Sequence, residues 1–242
     1  MQETEIESLI PLTYEDLVDG CTLLVDKPLD WTSFDVCQKI RSVAKYKLGL
    51  DKLKVGHAGT LDPRATGLLI ICLGKHTKRL SAFQNYNKEY TGSVFLGATT
   101  PSYDTETKVD RVYPIDHISP EMLESARQQF IGPVDQIPPA YSAIKKDGVR
   151  AYQAARKGEP LALKSRLITI LEFELTQINL PVIDFRVACS KGTYIRSLAF
   201  DFGRAVNAGA YLKSLIRTRV GPFKLENAWN LENLVAAIDN LS

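Results

Sequence analysis

The apolar period changes abruptly between residues 182 and 206, and no other feature of this 242-residue chain constrains its fold so strongly. In VIDFRVACS, Ile183, Phe185, Val187 and Cys189 alternate with Asp184 and Arg186, the period of a strand with one face on a core. After a short KGT turn, Ile195, Leu198, Ala199, Phe202, Ala205 and Val206 recur at helical spacing. The expected local structure is a strand, a tight turn and a helix, with Thr193 a candidate N-cap.

Other segments extend this pattern without repeating it. CTLLVDKP reads as a strand ending in a proline turn, and Thr32 or Ser33 can cap a helix that buries Phe34, Cys37, Ile40 and Ala44. GLLIICLG is a continuous apolar run bounded by glycines, which suits a strand covered on both faces. YTGSVFLG and residues 166–175 also read as strands, whereas residues 101–114 show no clear pattern. Regular βαβα alternation is missing, and helices are too many for a sandwich. The expected class is α+β, with a mixed, mostly antiparallel sheet flanked by helices and loops, in a single domain over residues 1–242.

Composition then narrows the function. With 45% hydrophobic and 24% charged residues the chain matches ordinary globular proteins, not disordered ones. No run approaches the roughly 18 apolar residues of a membrane span. The acidic start, residues 1–19, resembles neither a secretory signal nor an Arg-rich transit peptide, so a cytoplasmic location is expected. Cys21, Cys37, Cys72 and Cys189 lie far apart, and His57, His76 and His117 form no HxxxH pair, which argues against zinc or redox centres. Residues 1–19 hold six of the 28 acidic residues and none of the 30 basic ones, so the remainder carries a formal +8. That excess leans toward a polyanionic partner, although an unevenly charged solvated surface accounts for it equally well.

Four segments could carry chemistry. In GHAGTLDPRATGLLIICLGKHTK, residues 56–78, Pro63 holds Asp62 extended just before the apolar strand, where a fixed carboxylate could serve as nucleophile or base. On its own, Asp-Pro reads more readily as a simple turn former. In CSKGTYIRSLAFDFG, residues 189–203, Lys191, Tyr194 and Arg196 gather at a helix start suited to an anion; a surface ion pair and a packed tyrosine are the plain alternative. Tyr90 opens the strand of KEYTGSVFLG, and Lys27 ends that of LLVDKP. Basic residues interleaved with aromatics, at Lys45, Tyr46, Lys47, Lys52 and Lys54 and again from Tyr141 to Arg166, suit phosphate contact with base stacking.

Taken in order, LLVDKPLDWTSFDV, the GHAGTLDPRATG block, KEYTGSVFLG, IPPAYSAIKKDGVRAY and CSKGTYIRSLAFDFG resemble the successive signatures of the TruB-type pseudouridine synthases. The resemblance covers residues 23–223 and implies the pseudouridine synthase fold. It further implies isomerisation of uridine-55 in the T loop of tRNA, without cofactor or metal. By resemblance Asp62 is the catalytic aspartate, Tyr90 the tyrosine under the target base, and Arg196 the arginine that pairs with the aspartate. Tyr194 and Leu215 match uracil-pocket residues, His57 the histidine that holds flipped-out loop nucleotides, and Lys27 the lysine of the KP motif. Lys191 is expected to contact RNA. Ile216-Arg217 stands where the family shows two arginines, and Tyr211 where histidine is common.

The implied partner is the tRNA T-arm, met by a monomer that needs no membrane or protein partner. Residues 140–166, rich in Lys, Arg and Gly, are expected to form a mobile thumb over the RNA. Family members usually continue into a PUA-type RNA-binding domain, which this chain, stopping at Ser242, is expected to lack. Two rival functions differ in kind. A non-catalytic RNA-binding protein or tRNA-folding chaperone of the same fold would bind T-arm RNA without forming pseudouridine. A glycosidase would need a second cooperating carboxylate, and no second acid stands in so distinctive a block.

Overall fold

The computed structural model describes residues 12–241, so Glu3, Glu5 and Glu7 of the acidic segment lie outside the described residues. The chain divides into two compact units, Met1–Lys88 with Ile216–Ser242, and Glu89–Leu215.

The first unit is organised by the expected apolar strand, Ala65–Leu73. Residues 68–73 are all fully buried, because successive side chains point to opposite faces and both faces are covered. Leu69, Ile71 and Leu73 pack with Leu23, Val25 and the inward residues of helices Ser33–Leu48 and Leu231–Asp239. Leu68, Ile70 and Cys72 pack on the other side with Leu24, Ala58, Phe83 and Val220. Each large aliphatic side chain buried in this way stabilises the fold by roughly 1.5–3 kcal/mol.

Strand Thr22–Lys27 runs antiparallel to this one, from Thr22 opposite Cys72 to Lys27 opposite Gly67. Its other edge takes Trp229–Asn230 in parallel, and Val55–His57 pairs antiparallel with the far end of Ala65–Leu73. The Lys27–Gly67 register sets the end of the first strand beside the loop that leads from Ala58 into Ala65.

Helix Ser33–Leu48 starts at Thr32, whose hydroxyl accepts from Asp35 N at 3.0 Å while the Asp35 carboxylate accepts from Thr32 N at 2.9 Å. This reciprocal capping box fixes the helix start. Cys37, Ile40 and Ala44 are buried as expected, but Phe34 is 59% exposed. Ser33 turns inward in its place, because its hydroxyl serves buried backbone: it accepts from Leu61 N at 2.8 Å and donates to Leu61 O at 3.1 Å.

In the second unit strands Lys88–Leu96, Val182–Cys189, Arg166–Asn179 and Gly132–Gln136 lie side by side in that order. Arg166–Asn179 pairs antiparallel with both of its neighbours. The strand, turn and helix read from residues 182–206 are present as Val182–Cys189 and Ile195–Ala205, with Ile183, Phe185, Val187, Leu198 and Phe202 buried. Two details differ. Ala205 is exposed, and the residue before the helix is Tyr194, which caps with no side chain. Thr193 instead donates its hydroxyl to Ser190 O at 2.9 Å and closes the turn. The fold is therefore α+β with mostly antiparallel strands. Strand Ala210–Val220 contributes residues to both units.

Candidate active site

Asp62 sits half-buried on a loop of the first unit whose backbone is held at nearly every residue. Ser33 brackets Leu61 from the helix start. Asp30 N donates to Pro63 O at 2.9 Å, and Ala65 N to Asp62 O at 3.0 Å. Arg217, 1% exposed, donates from Nε to Leu68 O at 2.7 Å and from Nη2 to Gly59 O at 3.1 Å, tying the start of the loop to the strand that follows it. Gly67 makes that brace possible: its φ is 101°, and a Cβ there would lie 2.4 Å from Arg217 O.

Lys27 lies beneath the same loop and is fully buried. Its ammonium donates to Trp31 O at 2.6 Å and Pro28 O at 2.8 Å, and lies 3.5 Å from Pro63 O. Burial pulls its pKa down to about 8, and Arg217 pushes the same way; Asp62, then Asp30 and Asp26, oppose the fall. The charge of Asp62 thus acts on a buried lysine. His57 ends strand Val55–His57, and burial followed by Arg217 holds its pKa below the usual histidine range, with the Gly59 backbone opposing. It is neutral at pH 7, able to donate from one ring nitrogen and accept at the other.

Of the remaining expected site residues, Tyr90, Lys191, Tyr194, Arg196 and Leu215 all belong to the second unit. Tyr90 and Leu215 are each 8% exposed, and Lys191 is exposed. Gln136 grips Tyr194 by its backbone: Nε2 donates to Tyr194 O at 3.0 Å and Oε1 accepts from Tyr194 N at 2.7 Å. The Arg166 guanidinium lies 4.5 Å from the centre of the Tyr194 ring. Arg196 is buried, with Nη1 donating to Ser102 O at 3.1 Å and Nε 3.6 Å from Asp104 Oδ2. Asp104 is buried as well, and its Oδ1 accepts from Ser102 Oγ at 2.6 Å and Glu106 N at 2.9 Å.

Asp104, the hold of Ser33 on Leu61, the stacking of Arg166 on Tyr194 and the bracing role of Arg217 were not evident from the sequence, where Ser33 reads only as a candidate cap and Arg166 as the end of a basic run. The role of Arg217 left a trace there, since it falls two residues after buried Leu215, on the inward parity of its strand. Among the described residues no helix is long and apolar enough to cross a membrane, and no group of three His, Cys, Asp or Glu could hold a metal ion.

Residues 45–195 match the TruB family pseudouridylate synthase N-terminal domain. The chain belongs to the TruB family. A relative from Flavobacterium johnsoniae named tRNA pseudouridine synthase B is 55% identical over 90% of this chain and 95% of its own length. One of the same name from Chloroherpeton thalassium is 45% identical over 91% of each chain. Among solved structures, a chain of a Cbf5-Nop10-Gar1 complex superposes with a TM-score of 0.70 at 29% identity, covering 92% of this chain. The TruB-family chain spans 55% of that longer protein.

The two departures from the family pattern have local explanations in this TruB-family protein. Arg217, the arginine that is retained, is a buried brace and Ile216 is 39% exposed. Tyr211 stacks on Phe95 with ring centres 5.2 Å apart and planes at 21°.

Proposed function

We propose that the protein converts uridine-55 in the T loop of tRNA to pseudouridine, with Asp62 as the essential carboxylate. The observation that carries this reading is the Asp62 loop. The loop that carries this half-buried carboxylate is braced at Leu61 by Ser33 and at Gly59 by Arg217, and the buried Lys27 ammonium feels its charge, in a family whose curated relatives are named tRNA pseudouridine synthase B. Such fixing matches what a group needs in order to meet one atom of a substrate.

The reaction breaks the N1–C1′ bond, turns the uracil and forms a C5–C1′ bond, while C5 loses a proton and N1 gains one. Atoms and electrons balance within the nucleotide. Asp62 either adds to the base or sugar, or assists departure of the base and then captures C1′. Tyr90 stacks on the uracil and takes part in the proton transfer from C5, and Tyr194 and Leu215 line the uracil pocket. Arg196, held by Asp104 and Ser102, supplies the positive charge. The target must leave its loop to react, and neutral His57 holds the flipped-out nucleotides. Lys191 and the basic residues of 140–166 meet phosphates, with that segment closing as a thumb. The protein acts in the cytoplasm as a monomer, without cofactor or protein partner.

Tritium release from tRNA carrying 5-labelled uridine tests the proposal. The wild-type protein is expected to release label, and Asp62→Ala is expected to abolish release. Near-normal turnover by Asp62→Ala would overturn the assignment of the carboxylate. Binding of T-arm RNA by the wild type without new pseudouridine would overturn the enzyme reading in favour of an RNA-binding protein.

A further inference from the structure

Tyr103 has a φ of 64°, in the left-handed region where a bulky side chain is rarely found. That conformation is unfavourable for a bulky side chain and persists only where its surroundings hold it. Here they do. Tyr103 N donates to Thr100 O at 3.1 Å, Leu212 N donates to Tyr103 O at 2.9 Å, and the ring stacks on Phe200 with centroids 3.9 Å apart and planes 13° from parallel.

Phe200 follows Arg196 by four residues on helix Ile195–Ala205, so both project from one face. Arg196 touches the residues on either side of Tyr103: it donates to Ser102 O and ion-pairs with Asp104. Three consecutive loop residues therefore meet two positions on one helical face. With Tyr103 left-handed, the chain turns so that a carbonyl and a carboxylate face one guanidinium while the intervening ring lies against Phe200. Ser102 Oγ and Glu106 N occupy Asp104 Oδ1, which leaves Oδ2 on the Arg196 side.

We propose that the Tyr103–Phe200 stack is a positioning device for Arg196, locking loop 102–104 in the one conformation that sets the guanidinium for the reaction. This rests on the pseudouridine synthase reading above. Tyr103 and Phe200 are positioning residues, acting through Arg196 and not on substrate. The contrasting account is an aromatic pair that only adds packing.

Three variants separate the two. Tyr103→Gly keeps, and relaxes, the left-handed backbone but removes the ring; Phe200→Leu keeps helix and apolar bulk but removes the stack; Tyr103→Phe keeps the stack. In single-turnover reactions on T-arm RNA, the amplitude reports the folded, competent fraction and the rate constant reports geometry within it. Tyr103→Gly and Phe200→Leu are expected to lower the rate constant by roughly 10- to 100-fold, the scale of an ångström-sized misplacement. Amplitude and RNA affinity should hold, and Tyr103→Phe should restore the wild-type rate constant. A second readout needs no activity: solvent exchange at the Arg196 Nε–H, followed by ¹⁵N NMR, should quicken in Tyr103→Gly and Phe200→Leu. A wild-type rate constant in Tyr103→Gly, a loss of amplitude alone, or unchanged Nε–H exchange would each overturn the proposal. Absence of turnover in the wild type would instead defeat the enzyme reading, and the exchange measurement would still decide whether the stack positions Arg196.

Discussion

Replacing Lys27 by Met should change stability in a pH-dependent way that reveals the desolvated ammonium beneath the Asp62 loop. Lys27 is fully buried and its pKa is lowered from 10.5 to about 8, chiefly by burial. Between these values the folded protein has released the proton and the unfolded chain has kept it. The unfolded state then binds more protons, so wild-type stability rises with pH across the window and the burial penalty is felt in full only below pH 8. The interval corresponds to about 3 kcal/mol. At pH 7, Lys27→Met loses two short charge-assisted bonds, to Pro28 O and Trp31 O, together worth about 3–6 kcal/mol. It also escapes the penalty of about 3 kcal/mol, so the net loss should be only about 0–3 kcal/mol. Toward pH 10 that relief disappears and the deficit should grow by nearly 3 kcal/mol. Urea unfolding of both proteins at intervals from pH 7 to pH 10 measures this, with other titrating groups cancelling in the difference. A difference that stays flat would refute the burial argument, and one that shrinks would reverse its sign.

Gly67→Ala should destabilise the protein by more than about 2 kcal/mol, from a positive φ and a Cβ driven into the Arg217 backbone; a wild-type urea midpoint would show that the strand can yield. Asp104→Ala strips the carboxylate from buried Arg196, Ser102 Oγ and Glu106 N, and should cost about 3–5 kcal/mol of stability along with turnover. An unchanged melting temperature would count against that network. In the proposed thumb, helix Ala151–Arg156 buries Ala151, Ala154 and Ala155, so hydrogen exchange without RNA should find protection confined to that helix. Strong protection throughout residues 140–166 would rule out a mobile thumb.

What could be read in the chain beforehand, and what could not, divides along a physical line. Strand Ala65–Leu73 and the strand, turn and helix of residues 182–206 were legible because burial on one or two faces imprints a period on neighbouring residues. Phe34 broke that rule at a helix start, where the demand of the Leu61 backbone for a hydroxyl turned Ser33 inward and left the ring outside. Periodicity says which way a residue faces and nothing of what it meets there. Arg217 and Leu68 are 149 positions apart, and Arg196 and Ser102 are 94 apart. No local pattern encodes either partnership. Asp104 was hidden more completely, in the stretch of residues 101–114 that lacks any period, because its conformation is imposed by a helix almost a hundred residues later. Asp62, by contrast, stood out only through the resemblance of its whole block, since Asp-Pro alone reads more readily as a turn. The hardest residues to recognise were thus those that hold others in place: a carboxylate or guanidinium that braces a distant loop carries no mark in its own neighbourhood. The one usable trace was a charged side chain on the inward parity of a strand, as at Arg217, because burying a cation there is unfavourable unless carbonyls from elsewhere in the chain receive it.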